Sequence, residues 1–158
     1  MRPFAKIAAS ALAALFLYLA AMAVLAADVT FDVAPLTIVT ADGHKHDFTV
    51  ELAVDSDQRA LGLMNRREMA DNHGMLFDFG QTRQVMMWMK NTYLPLDMLF
   101  LRQDGKIATV RENAVPLSET IIDSREPVAF VVELNAGTVK RLGLAEGDTV
   151  VSDRIKGQ

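Results

Sequence analysis

The stretch that decides the fold runs Pro35-Leu36-Thr37-Ile38-Val39-Thr40, Ala41-Asp42-Gly43-His44, then Lys45-His46-Asp47-Phe48-Thr49-Val50-Glu51-Leu52-Ala53-Val54. The first run is rich in β-branched residues, which sit well on a pleated surface. Asp-Gly between two such runs signals a turn, because glycine enters positive φ with no Cβ in the way. The second run alternates, with Phe48, Val50 and Leu52 on one face. The two runs predict a β-hairpin. The pattern recurs downstream, where Leu96–Leu101 and Ile107–Val115 flank Asp104-Gly105. Further strands are expected over Met75–Phe79, Val85–Met89, Val128–Leu134 and Thr149–Ser152.

Two short helices complete the expectation. Asp55 can cap a helix over Ser56–Arg66, with Gln58 closing a capping box and Gly62 as its weak point. Asn135 can cap a second helix over Ala136–Leu142, with Gly143 as its stop. Asp28–Ala34 reads as a loosely held lead-in. Many short strands with Asp-Gly turns predict a mainly β domain over residues 35–153: a small β-barrel or jelly-roll-like sandwich with one or two short helices.

Residues 1–27 have a different character. Arg2 and Lys6 precede the apolar run Ile7–Leu25, and Ala26-Ala27 follow. This reads as a signal peptide cut after Ala26 or Ala27. An uncleaved anchor is the alternative, since a spanning helix needs roughly 20 apolar residues. Either reading predicts an exported protein, periplasmic or extracellular, touching the membrane only through the leader if it is retained. From Asp28 onward 14 basic residues face 20 acidic ones, so the domain carries −6. That balance argues against nucleic acid as a partner, which calls for a basic face. The chain has no cysteine, which excludes disulfides, thiol catalysis and thiolate metal sites. Gly-x-Ser-x-Gly, phosphate-loop and His-Glu-x-x-His motifs are absent as well. No cofactor and no metal are expected.

Candidate site residues gather around the single tryptophan. Lys90, Asn91 and Thr92 follow the apolar strand that holds Trp88, and Asp97 follows a Pro95-containing turn. Such polar rims on loops held by a sheet are where ligand sites tend to lie. The competing reading is structural: Asn91 and Thr92 satisfy turn backbone, and Asp97 pairs with Lys90 or Arg59. Arg59 and Glu133 both sit among apolar residues, and a buried Arg59–Glu133 or Arg59–Asp97 pair is the expectation. Alternatively, a raised pKa on Asp97 or Glu133 would suit an acid or base, as in a hydrolase. Met86, Met87 and Met89 are expected to fill core gaps rather than bind copper. His44 and His46 are expected as exposed turn residues.

One set of runs carries a resemblance. Arg59-Ala60-Leu61-Gly62-Leu63-Met64, Gly74-Met75-Leu76-Phe77-Asp78-Phe79, Trp88-Met89-Lys90-Asn91-Thr92, Pro95-Leu96-Asp97, Glu133-Leu134-Asn135-Ala136-Gly137 and Gly147-Asp148 resemble the domain of unknown function 192 (DUF 192) family. The likeness spans about Leu36 to Ser152. It implies a compact β-barrel or sandwich and brings no established activity. Met87 stands where the family pattern has Phe, so the likeness lends no support to a shared methionine chemistry.

These readings converge on a binding or accessory module for a small polar ligand, held by Arg59, Trp88, Lys90, Asn91, Thr92, Asp97 and Glu133. Two alternatives stand beside it. One is a hydrolase using Asp97 and Glu133. The other is an interaction protein for an envelope partner, with no small-molecule pocket and with Leu94 or Met98 in an exposed apolar patch.

Overall fold

The computed structural model describes residues 29–155, so the leader lies outside the described residues. The strands are β1 (Asp32–Val39), β2 (Lys45–Ala53), β3 (His73–Arg83), β4 (Met86–Met87), β5 (Leu96–Leu101), β6 (Ile107–Ala114), β7 (Ile122–Asp123), β8 (Val128–Asn135) and β9 (Thr149–Val151). Two short helices join them, α1 (Ser56–Leu61) and α2 (Thr138–Leu142). Seven strands form one sheet in the order β6-β5-β8-β3-β2-β1-β9, while β4 and β7 pair separately. Only β2 and β3 run parallel; α1 and the loop after it make the crossover.

The two expected hairpins are present. Val39 pairs with Lys45 across the Thr40–His44 connection, where Gly43 takes φ +87°. The first strand begins earlier than expected, because Asp32–Ala34 pair with Val50–Leu52. The first helix stops at Leu61 rather than Arg66. Its capping box forms as expected, with Asp55 accepting from Asp57 and Gln58. Gly62 then turns away at φ +49°, and the Phe77 ring lies 3.1 Å from where a Cβ would be. The second helix is capped by Gly137 instead of Asn135; the Asn135 amide donates to Met69 and Ala70 carbonyls. Val85–Met89 contributes only the two-residue β4, paired with the unforeseen β7. His46 is half-buried, with Nε2 shielded from solvent, while His44 is exposed.

The large sheet curls into a half-barrel with apolar residues on both faces. Inside lie Leu36, Ile38, Phe48, Val50, Leu76, Leu99, Leu101, Phe130, Val132 and Leu134. Outside lie Met75, Phe77, Leu96, Met98, Phe100 and Val131, covered by Leu63, Val85, Met89 and Leu94 from the connecting segments. Strands β5 and β8 are therefore buried on both faces, which explains their near-continuous apolar runs.

The free edges of the sheet meet at one point. Val150 N–H donates to Gly105 C=O at 2.8 Å, Ile107 N–H to Asp148 C=O at 2.9 Å, and Gly147 N–H to Ile107 C=O at 2.8 Å. Gly105 takes φ +81°, and a Cβ there would sit 2.4 Å from Val150 O. Gly43 also has positive φ, but nothing lies within 4 Å of its Cβ position. Gly105→Ala is therefore expected to destabilise the domain by about 2–4 kcal/mol, against about 1 kcal/mol for Gly43→Ala. Urea denaturation of both variants checks this; equal losses would mean that the β6–β9 contact does not matter.

Candidate functional site

Strand pairing decides which face each polar side chain meets. On the outer face, Glu133 of β8 stands between Met75 of β3 and Met98 of β5. Its neighbour in sequence, Leu134, points into the barrel opposite Asp97. Asp97 and Glu133 thus occupy opposite faces of the same sheet.

Asp97 is fully buried and acts as a structural acceptor. Oδ1 takes the Asn113 N–H and Oδ2 takes the Val139 N–H, both at 2.9 Å. The second bond satisfies the first turn of α2, whose cap Gly137 has no side chain to offer. Asp97 therefore pairs with neither Lys90 nor Arg59, and it shares no concavity with the Trp88 rim. Arg59 likewise forms no ion pair with Glu133 or Asp97. Its Nη1 donates to the carbonyls of Val54 and Asp78, fastening α1 to β3. Backbone carbonyls as partners leave no trace in a side-chain pattern, which is why the sequence points to a carboxylate for Arg59 instead.

The segment after Trp88 divides similarly. Asn91 adopts φ +55°, its carbonyl accepts from Asn65 N–H at 2.9 Å, and its amide reaches Met64 Sδ at 3.9 Å. Lys90 Nζ lies 5.2 Å from the Trp88 ring centroid, a cation–π contact. Thr92 is buried and its hydroxyl donates to the Lys90 carbonyl at 3.3 Å.

Four of the seven expected residues do come together. Arg59, Trp88, Thr92 and Glu133 line one cavity of about 120 Å³ on the outer face. Lys90, Asn91 and Asp97 do not line it. Its walls are Leu63, Met64, Phe77, Phe79 and Met87, and α1 with Gly62 forms one side. The helical spacing of Ala60, Leu63 and Met64 beside Arg59 predicts their grouping, and all four line the cavity although α1 ends at Leu61. Met87 packs against the outer core, and Met89 is buried within it, as core filling predicts. Met86, expected in the core, instead stands exposed at the rim beside Trp88.

Glu133 is the unusual group. It is 4% exposed, yet no side chain or backbone N–H among the described residues donates to its carboxyl. Burial alone pushes it from the ordinary 4.5 up to about 8. At neutral pH it is a carboxylic acid, able to donate one hydrogen bond and accept another at the cavity wall. The unfolded chain releases this proton near 4.5 while the folded one keeps it to about 8. The contribution to stability is thus complete below 4.5 and is lost as pH rises through that window. Glu133→Gln is expected to match the wild type near pH 4.5 and to exceed it well above pH 8 by on the order of 5 kcal/mol. Urea denaturation across that range checks it; a constant difference would show that the acid is not held neutral.

Comparisons with known proteins agree with this architecture. The DUF192 family profile, described as Uncharacterized ACR, matches residues 37–152, and the chain belongs to that family. A crystal structure from Sinorhizobium meliloti 1021, of a protein provisionally described as a transcription regulator, is 64% identical with a TM-score of 0.79. The match covers 81% of this chain and 99% of that one. A protein of unknown function from Novosphingobium aromaticivorans DSM 12444 is 34% identical with a TM-score of 0.73, over 78% of this chain and 94% of that one. No curated protein matches the chain.

Proposed function

We propose that the protein is an exported binding or accessory module that takes one small molecule into the cavity beneath Trp88. The observation that carries this reading is Glu133: a neutral carboxyl without a protein hydrogen bond among the described residues, at the wall of a cavity that Arg59 and Thr92 share with Phe77, Phe79 and Met87. The carboxyl can donate one hydrogen bond and accept another into the cavity, and a ligand that supplies both gains about 0.5–1.5 kcal/mol per bond. A void near 150 Å³ admits benzene, so about 120 Å³ suits a compact ligand or the end of a longer one. The fitting chemistry is a flat apolar body with a single polar head that both donates and accepts. This sharpens the polar ligand expected from sequence into an amphipathic one.

The hydrolase alternative lacks support, because its two carboxylates lie on opposite faces of the sheet. Leu94 and Met98 are both buried, so the pocketless envelope-partner reading loses the patch it was to rest on. Nucleic-acid regulation, suggested by the description of the Sinorhizobium protein, sits poorly with 14 basic against 20 acidic residues from Asp28 onward. Export rests on the leader alone. The protein recovered from the periplasm should begin at Ala27 or Asp28, whereas recovery in the cytoplasm with Met1 intact would refute export.

Trp88 is the only tryptophan, so its fluorescence reports on the cavity directly. Titration with the neutral probes benzamide and phenol should give a saturable emission change with at least one of them. Ala60→Phe, which fills the side of the cavity from the exposed face of α1, should abolish that change. Glu133→Leu should weaken benzamide by about tenfold. No saturable change with either probe up to millimolar concentration, or the same change in Ala60→Phe, would overturn the reading.

A further inference from the structure

A second cavity, larger than the one beside Trp88, lies elsewhere. It encloses about 400 Å³ between β6, the loop after it and β7, and shares no lining residue with the Trp88 cavity. Arg111 and Arg125 both line it. These two differ from the other arginines among the described residues. Arg66, Arg102 and Arg154 pair with Glu51, Glu126 and Asp78. Arg67 and Arg83 stack over Tyr93 and Phe79. Arg59 holds backbone carbonyls and Arg141 reaches the Thr138 hydroxyl. Among the described residues, only the guanidinium groups of Arg111 and Arg125 have no such partner, and they face one groove.

The backbone beneath Arg125 is built for its position. Arg125 sits at φ +64°, a left-handed conformation that costs an ordinary residue roughly 1–2 kcal/mol. The buried Ser124 holds it there. Ser124 exchanges bonds with Val85 through its N–H at 2.9 Å and its hydroxyl at 3.1 Å, its hydroxyl donates to Glu126 C=O at 2.7 Å, and its carbonyl accepts from Thr109 at 3.0 Å. Strain fixed by a buried network under an unpaired cation marks a positioned group more than a chance surface residue.

We propose that this groove binds a small organic anion, a carboxylate or a phosphate monoester, with its charge between Arg111 and Arg125. Arginine's planar fork suits both anions. Val115 and Ile121 line the same groove and are exposed, giving an apolar portion of the ligand a surface to cover. Asp123 also lines it, but its Oδ1 is engaged by Gln84 Nε2 and Arg125 N–H, so the anion lies on the arginine side.

The test uses phenyl phosphate, benzoate and inorganic phosphate, titrated by calorimetry at low salt against the mature domain. Phenyl phosphate or benzoate should bind, should exceed inorganic phosphate, and should weaken as salt is added. Which of the two binds more tightly identifies the anion. Arg111→Gln and Arg125→Gly should each reduce affinity about tenfold or more. Glycine accepts the backbone at residue 125, so a fold-stability loss would not accompany that change. Glu133→Gln and Ala60→Phe should leave anion binding unchanged, which separates this site from the Trp88 cavity. Absence of binding, or binding that survives loss of both arginines, would overturn the proposal.

Discussion

The burial of β8 on both faces is the constraint on which the rest of the structure depends. A strand with apolar residues pointing both ways cannot sit in a two-layer sandwich with one face in water. It needs a barrel interior on one side and a second cover on the other. The interior comes from the curl of the sheet, which brings Leu76, Leu99 and Val150 around Phe130, Val132 and Leu134. The cover comes from loop segments, which is why Leu63, Val85, Met89 and Leu94 are buried outside regular strands. Any polar side chain on the outward side of β8 is trapped beneath that cover, and Glu133 is that side chain. The candidate site is thus a consequence of how the outer layer is built from loops.

The hairpins and the mainly β character were legible because alternation, β-branching and Asp-Gly turns are local signals, and strand β5 was bounded as expected at Leu96 and Leu101. The capping box at Asp55 and Gln58 was equally local. The helix length was not, because Gly62 reads as a weak interior position as readily as a terminus, and the chain turns away there at φ +49°. β7 was invisible, since two residues paired with β4 leave no periodic trace.

The site residues depart from the sequence expectation in one consistent way: charged side chains are the expected partners, whereas Asp97 and Arg59 have backbone partners. A carboxylate between two amides and a guanidinium on carbonyls are common ways to fasten irregular segments, and neither needs a complementary residue that sequence could reveal. What sequence did capture was the company of Trp88, Thr92, Arg59 and Glu133 within one run of motifs. It could not show that Asp97, one strand away, faces inward, because that depends on the register of β5 against β8.

The contact between Gly105 and Val150 also governs the order in which the sheet can be completed. Strands β1 and β6 flank the rest of the sheet, and both await residues 147–151, which follow every other strand in the chain. Until these pair, the domain presents two unpaired strand edges, the kind of surface on which other chains add. Residues 147–151 therefore serve as a seal: without them the domain would retain most of its apolar interior while leaving both edges of its sheet available to a neighbour.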